Sequence, residues 1–294
     1  MFRLARRSRL DTRTALAVHL LAPGVIAVLA LASGCGAAQQ PDAATPAEPL
    51  EQPDRLERLF DGSLPVIDLT HELSPEGPHW PSASGNPFVY EVRSSHDSGA
   101  TSMGAYSTPE HHGTHIDAPI HSADGQPSVD QLEAADLFGP IALIDVAAQC
   151  AADADYQLSR DDILAWEAAH GPLPQGAVVL MYTGWSQKWT DFEAYKNQDE
   201  DDRMHFPGFS EDAARFLVEE RDIRGIGVDT LSVDAANAGG FPAHGIVNGS
   251  GKYHLENVAD LHLVPQSGAY LIVAPIKIAG GSGGQVRLFA VIPD

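Results

Sequence analysis

Five stretches rich in Val and Ile constrain the fold most: "PIALIDV" (140–146), "AVVLMYTG" (177–184), "IRGIGVD" (223–229), "AYLIVAPIKI" (269–278) and "QVRLFAVI" (285–292). Their length and β-branched content read as largely buried strands. Two helices with legible ends lie between them. "SRDDILAWEAAHG" offers Ser159 as N-cap, acids in the first turn and Gly171 as a stop, and "SEDAARFLVEER" begins the same way from Ser210. Strands alternating with helices and followed by a late hairpin imply an α/β domain, a mixed β-sheet with flanking helices.

The densest chemistry in this frame is "PEHHGTHIDAPIH" (109–121), which holds four of the chain's 13 histidines. His111, His115, Asp117 and His121 all carry odd numbers, and on an extended chain side chains of equal parity share one face. On a straight strand His111 and His115 would stand ~13 Å apart at ~3.3 Å per residue, near the limit for reaching one ion. Gly113 lies between them and permits a bend that draws them together. Pro119 and the "DAP" before it argue against a helix. Imidazoles with a carboxylate suit Zn, Mn, Fe or Co rather than Ca or Mg, and three protein ligands leave room for water. His112, of the other parity, reads as structural.

"HHGTHIDAPIH" matches H-x-G-T-H-x-D-x-P-x-H at every fixed position, and in this the chain resembles the cyclase family of metal-dependent hydrolases, which includes bacterial kynurenine formamidase and isatin hydrolase. The resemblance runs from "VIDLTHELSPEGPHWP" through "GVDTLSVD" to "HLENVADL" and the final hairpin. It implies a swivelling β/β/α-like fold, with His111, His115 and Asp117 as metal ligands and Asp117 placed to bridge a second ion. It further implies His121 as general acid/base, His244 and Glu256 as the pair completing a two-metal site, and Trp80 as an aromatic pocket wall. Taken alone, His244 and Glu256 are weak signals, Glu256 reading as a charge at a helix start. "PSASG" follows Trp80 where formamidases have "PGD", and the insertion "WTDFEAYKNQDEDDRMHFPGF" (189–209) is similar to isatin-hydrolase-like members, which can use a single manganese. The cofactor expectation is therefore one or two divalent ions, Zn or Mn. The expected activity is hydrolysis of an aryl formamide or cyclic amide, with a small aromatic or heterocyclic amide as substrate. The alternatives are a lactone or ester hydrolase and a non-catalytic metal-binding lipoprotein. The family habit adds a homodimer.

The N-terminus differs in kind. Arg3, Arg6, Arg7, Arg9 and Arg13 precede an apolar run to Ala32 and "LASGC" ending at Cys35, a pattern resembling an export signal with a lipobox. The expected organisation is a signal peptide at 1–34, a Pro/Ala/Gln-rich tether at 35–55 and one hydrolase domain at 56–294. Export with Cys35 lipidated anchors the chain to the bacterial envelope and leaves Cys150 without an intramolecular partner. A formal charge of −22 argues against nucleic-acid binding and against membrane contact other than through that anchor.

Other motifs are weaker. "GGSGG" (280–284) formally satisfies the G-x-S-x-G nucleophile elbow, but strand-like sequence follows Ser282 and no histidine comes after it. It reads as a flexible hairpin turn whose backbone N–H groups could line the site. "GSGK" (249–252) lacks the rest of a phosphate loop, and no dinucleotide fingerprint follows a strand, so no nucleotide cofactor is expected. "NQDEDD" (197–202) lacks calcium-loop spacing and reads as a solvated loop. Asp229 and Asp234 end a strand, where either turn preference or function places an aspartate.

Overall fold

The computed structural model describes residues 55–81 and 85–293. The expected signal peptide, Cys35 and the tether as far as Asp54 lie outside the described residues. In chain order the elements are α1 (Arg55–Phe60), β1 (Val66–Asp68), β2 (Val89–Ser94), β3 (Met103–Ser107), β4 (His115–Asp117), β5 (Phe138–Asp145), α2 (Ala147–Ala152), β6 (Gln157–Leu158) and α3 (Arg160–His170). They continue with β7 (Ala177–Tyr182), α4 (Phe192–Lys196), β8 (Gly208–Phe209), α5 (Glu211–Glu220), β9 (Ile223–Val228), α6 (Pro242–Gly249), β10 (Tyr253–Glu256), β11 (Tyr270–Pro275) and β12 (Gly283–Val291). Both anticipated helices form where their caps place them. The Ser159 Oγ accepts from Asp162 N–H while Asp162 Oδ2 accepts from Ser159 N–H, and Ser210 Oγ accepts from Ala213 N–H.

Eight strands make one mixed sheet in the order β1-β12-β11-β5-β7-β9-β10-β4. Strands β5, β7, β9 and β10 run parallel, whereas β11, β12, β1 and β4 pair antiparallel. The outermost strand β4 also pairs with β12, so the sheet curls until it closes on itself. Alternation along β7 shows why its sequence is apolar throughout. Val178 and Leu180 point into the closed interior with Ile116, Leu143, Leu255 and Leu288, while Val179 and Met181 pack outward under α3 and α5 against Ile163, Trp166 and Leu217. A strand covered on both faces needs no polar alternate. Cys150 sits in the outer layer as a free thiol, pushed up to about 12 by burial and by surrounding carboxylates.

The 189–209 insertion folds inward. Tyr195 from α4 is fully buried, and its hydroxyl lies 2.9 Å from both Asp229 O and Asn257 Oδ1. Its acidic stretch, residues 199–203, is exposed as a solvated loop, as are Thr190, Asp191 and Glu193. Trp189 stacks face to face on His71, with ring centroids 3.9 Å apart and planes within 6°. Burial lowers His71 to about 4 from an ordinary 6.5. Between those values the unfolded chain binds the proton and the folded chain does not. This residue's contribution to stability is therefore complete above 6.5 and is lost as pH falls toward 4. The variant His71→Phe, which keeps an aromatic ring on Trp189, should show a smaller drop in Tm between about pH 7 and about pH 5 than the wild type. Equal slopes would show that His71 does not contribute.

Candidate metal centre

Strand β4 is only three residues long, yet it is flanked on both sides. Against β10, Asp117 faces His254 and His115 faces Glu256; against β12, Asp117 faces Gly283 and His115 faces Gln285. Opposed residues of an antiparallel pair project to the same face, so His254 and Glu256 stand beside Asp117 and His115. Glu256 thus ends a strand. The helix start expected for it does not form, because "YHLE" is drawn into the sheet between β9 and β4.

The single extended face expected for the histidine motif holds only over 115–117. On the N-terminal side the chain bends at Gly113, whose φ is +66° and where a Cβ would lie 2.5 Å from Leu73 Cδ2, so only glycine fits. On the C-terminal side Pro119 opens a 3-10 turn that carries His121. The two bends bring the His111 and His121 rings to 3.9 Å. The first turn of α6 contributes His244.

Asp117 is the hub of this cluster. Its Oδ1 lies 2.6 Å from His111 Nδ1 and 3.2 Å from His115 Nε2, and its Oδ2 lies 3.2 Å from His244 Nε2, 3.6 Å from His254 Nδ1 and 3.9 Å from His121 Nε2. Glu256 bridges His115 at 3.4 Å and His244 at 3.3 Å. Burial disfavours charge throughout; the two carboxylates and the imidazoles of His115 and His244 hold one another ionised against it, whereas burial prevails at His121 and His254 and lowers both. Asp117 and Glu256 overcome burial to raise His115 to about 10, and with Asp234 they raise His244 to about 12. Despite burial and the nearby Asp117 charge, His115 and His244 bring Glu256 down to about 2, and the imidazoles hold Asp117 well below the carboxylate range.

The residues fit a metal ion. His115 Nδ1 is committed to Gly113 O at 2.8 Å, which aims Nε2 into the cluster; that Nε2 and Asp117 Oδ2 are buried and make no hydrogen bond among the described residues. The donor atoms of His111, His115 and Asp117 lie within 4.8 Å of one another, as do those of Asp117, His121 and His244. Both sets share Asp117, and both offer the nitrogen and oxygen donors that transition metals prefer. His121, expected only as a proton carrier, is therefore also within ligand reach, while its ring is the more open, with 31% of the side chain exposed.

Above the cluster lies a cavity of about 190 Å³ walled by Trp80, Phe241, Leu231 and His79. Trp80 lines this cavity and is half exposed, 6.3 Å ring to ring from Phe241. His112, read from parity as structural, also borders this cavity, and its ring lies parallel to that of Phe88.

The description "Putative cyclase" is that of the family whose sequence pattern matches residues 67–235, more than half of the chain. The chain belongs to the cyclase family. It is 35% identical over 251 residues to the isatin hydrolase of Roseibium aggregatum, across 80% of this chain and 95% of that protein. It is 31% identical over 223 residues to the kynurenine formamidase of Bacillus mycoides, across 75% and 94%. The solved structure of an isatin hydrolase bound to the product analogue thioisatinate superposes with a TM-score of 0.77 at 34% identity, covering 82% of this chain and 97% of that one.

Around this cyclase-family centre stand residues that the sequence left open or passed over. Asp234 receives His244 Nδ1 at 2.6 Å and the N–H groups of Ala243 and His244, so it fixes both the ring and the start of α6. Asp229 instead holds the Thr183–Ser186 turn. Asn257 Nδ2 donates to Gly113 O and Thr114 Oγ1 donates to Asn257 O, which ties the motif's bend to the end of β10. His254, fully buried beside Asp117, was missed although it shares parity with Glu256; the signal was usable only once β10 was known to be a strand. A carboxylate on the far nitrogen of a ligating imidazole orients the ring and raises its basicity. Asp234→Asn should accordingly weaken divalent-metal affinity by roughly 10–100-fold in a chelator competition titration. Unchanged affinity would show that His244 needs no such support.

Proposed function

We propose that this chain is a metal-dependent hydrolase that cleaves the C–N bond of a cyclic amide or an aryl formamide, with the isatin type of substrate favoured by the 35%-identical relative. The observation that carries the reading is the convergence of His111, His115, Asp117, His244 and Glu256 on the floor of one small aromatic-walled cavity. His111, His115 and Asp117 would hold one ion, Zn or Mn, and His244 and Glu256 with Asp117 would hold a second. A divalent ion, when bound, supplies Lewis acidity, lowering the pKa of water and polarising a carbonyl, so no Ser or Cys nucleophile is required.

The protein's own groups do the rest. Trp80 and Phe241 form an apolar wall against which the substrate's aromatic ring packs, which turns its carbonyl toward the carboxylate and imidazole floor. His121 is the most accessible imidazole of the cluster, and burial lowers its pKa, so at neutral pH its Nε2 is free to accept a proton. It takes the proton from the attacking water and returns it to the leaving nitrogen. Two further parts of the reading rest on sequence: the basic start, apolar run and Cys35 support export with a lipid anchor at the cell envelope, and the family habit supports a homodimer.

Hydrolysis of isatin and of N-formylkynurenine, assayed side by side after chelation and after return of Mn or Zn, tests the reaction class. Metal-restored turnover of either substrate is expected; no turnover of either, with metal bound, would overturn the substrate class. His115→Ala should lose the metal. His121→Ala should retain metal and lose rate by ~100-fold or more, and an unchanged rate would remove His121 from the chemistry.

A further inference from the structure

The glycine-rich turn "GGSGG" between β11 and β12 is not the flexible link its composition suggests. Gly280 N–H donates to Asp130 Oδ1, Gly281 O accepts from Val129 N–H, and Ser282 O accepts from Ala118 N–H. This anchoring holds the Ser282 hydroxyl 2.9 Å from His111 Nε2 and 2.5 Å from Glu110 Oε2. The missing side chains make the approach possible: a Cβ on Gly283 would lie 2.6 Å from His111 Cε1, and one on Gly281 would lie 3.0 Å from Glu110 Oε1. Gln285 completes the clamp, its Nε2 lying within 3.3 Å of the carbonyls of Pro109, Glu110 and His112.

Asp117, His111 and Ser282 in a row have the outline of a Ser–His–Asp triad, with Nδ1 of the histidine on the aspartate and Nε2 on the serine. Proton counting points the other way. The Glu110 carboxylate can only accept, and its Oε2 already takes Ser282 N–H at 3.0 Å and sits at the shortest distance from the hydroxyl. The hydroxyl proton therefore goes to Glu110, and Ser282 Oγ accepts from His111 Nε2–H. That places the imidazole lone pair on Nδ1, facing Asp117 Oδ1 across 2.6 Å, a separation at which either a proton or a metal ion must sit between the two acceptors.

We infer that Glu110 and Ser282 form a hydrogen-bond relay that sets the His111 tautomer and presents Nδ1 to the metal, making both of them positioning residues and Ser282 no nucleophile. The inference rests on the proposed role of His111 as a ligand. The test is a chelator competition titration with Mn and with Zn on the full chain, beside turnover measured at saturating metal. Ser282→Ala should weaken metal affinity by roughly 10–100-fold, with most of kcat recovered once the site is filled. Ser282→Thr keeps the hydroxyl and should restore affinity. Glu110→Gln removes the charge that draws the hydroxyl proton away and should also weaken binding, which provides a second variant should Ser282→Ala fold poorly. Wild-type affinity in both Ser282→Ala and Glu110→Gln would overturn the relay, and turnover abolished in Ser282→Ala at full metal occupancy would make Ser282 the nucleophile instead. A wild-type chain that takes up no divalent ion would bring down the hydrolase reading itself, a result distinct from a relay failure, in which the wild type binds and the variants bind equally.

Discussion

His115, Ile116 and Asp117 hydrogen-bond to strands on both sides, β10 on one and β12 on the other, and this double pairing closes the sheet. Every donor in the site is positioned relative to it. Register with β10 brings Glu256 opposite His115, and register with β12 brings the backbone of Gly283 against Asp117 and under the His111 ring. A slip of one residue would turn Asp117 into the apolar interior and Ile116 into the site. Ile116, fully buried between Leu255, Leu288 and the rest of the inner layer, opposes that slip.

The electrostatics follow from the same geometry. Two carboxylates and the imidazoles around them have been taken out of water, a cost met only if each charge has a partner at contact distance. Around Asp117 the partners are mutual, so the state of any one group depends on all the others. A network of this kind binds a divalent cation by exchanging protons for it. Its rigidity comes from the surrounding hydrogen bonds: Asp234 on His244, Gly113 O on His115, and Ser282 with Glu110 on His111.

Much of this was legible along the chain. Strand β7 announced itself because both its faces are buried, so no polar alternation interrupts it, and the helices did so through Ser159 and Ser210, whose capping bonds are local. The four motif positions were found because their spacing is short. Glu256, which the family motif marks as a metal ligand, reads on local sequence alone as a helix-start charge, and His254 gives no signal, because parity counts only after a segment is known to be a strand, and β10 is a strand only through its pairing with β9 and β4. Asp234 was ambiguous since turn preference and an imidazole partner ten residues on leave the same residue in the sequence.

Ser282 marks the boundary most clearly. The sequence by itself determined that residues 280–284 lack the bulk to pack and must turn the chain, and it determined the residue types of the histidine motif, because both depend on side-chain size and donor chemistry within a few positions. Only the tertiary structure decided that the turn closes on Glu110 and His111, more than 170 residues away, and that Asp117 collects donors from β4, α6 and β10. Those encounters depend on how the sheet curls and which strands meet at its seam, which is settled by the packing of the whole inner layer rather than by any local run of residues.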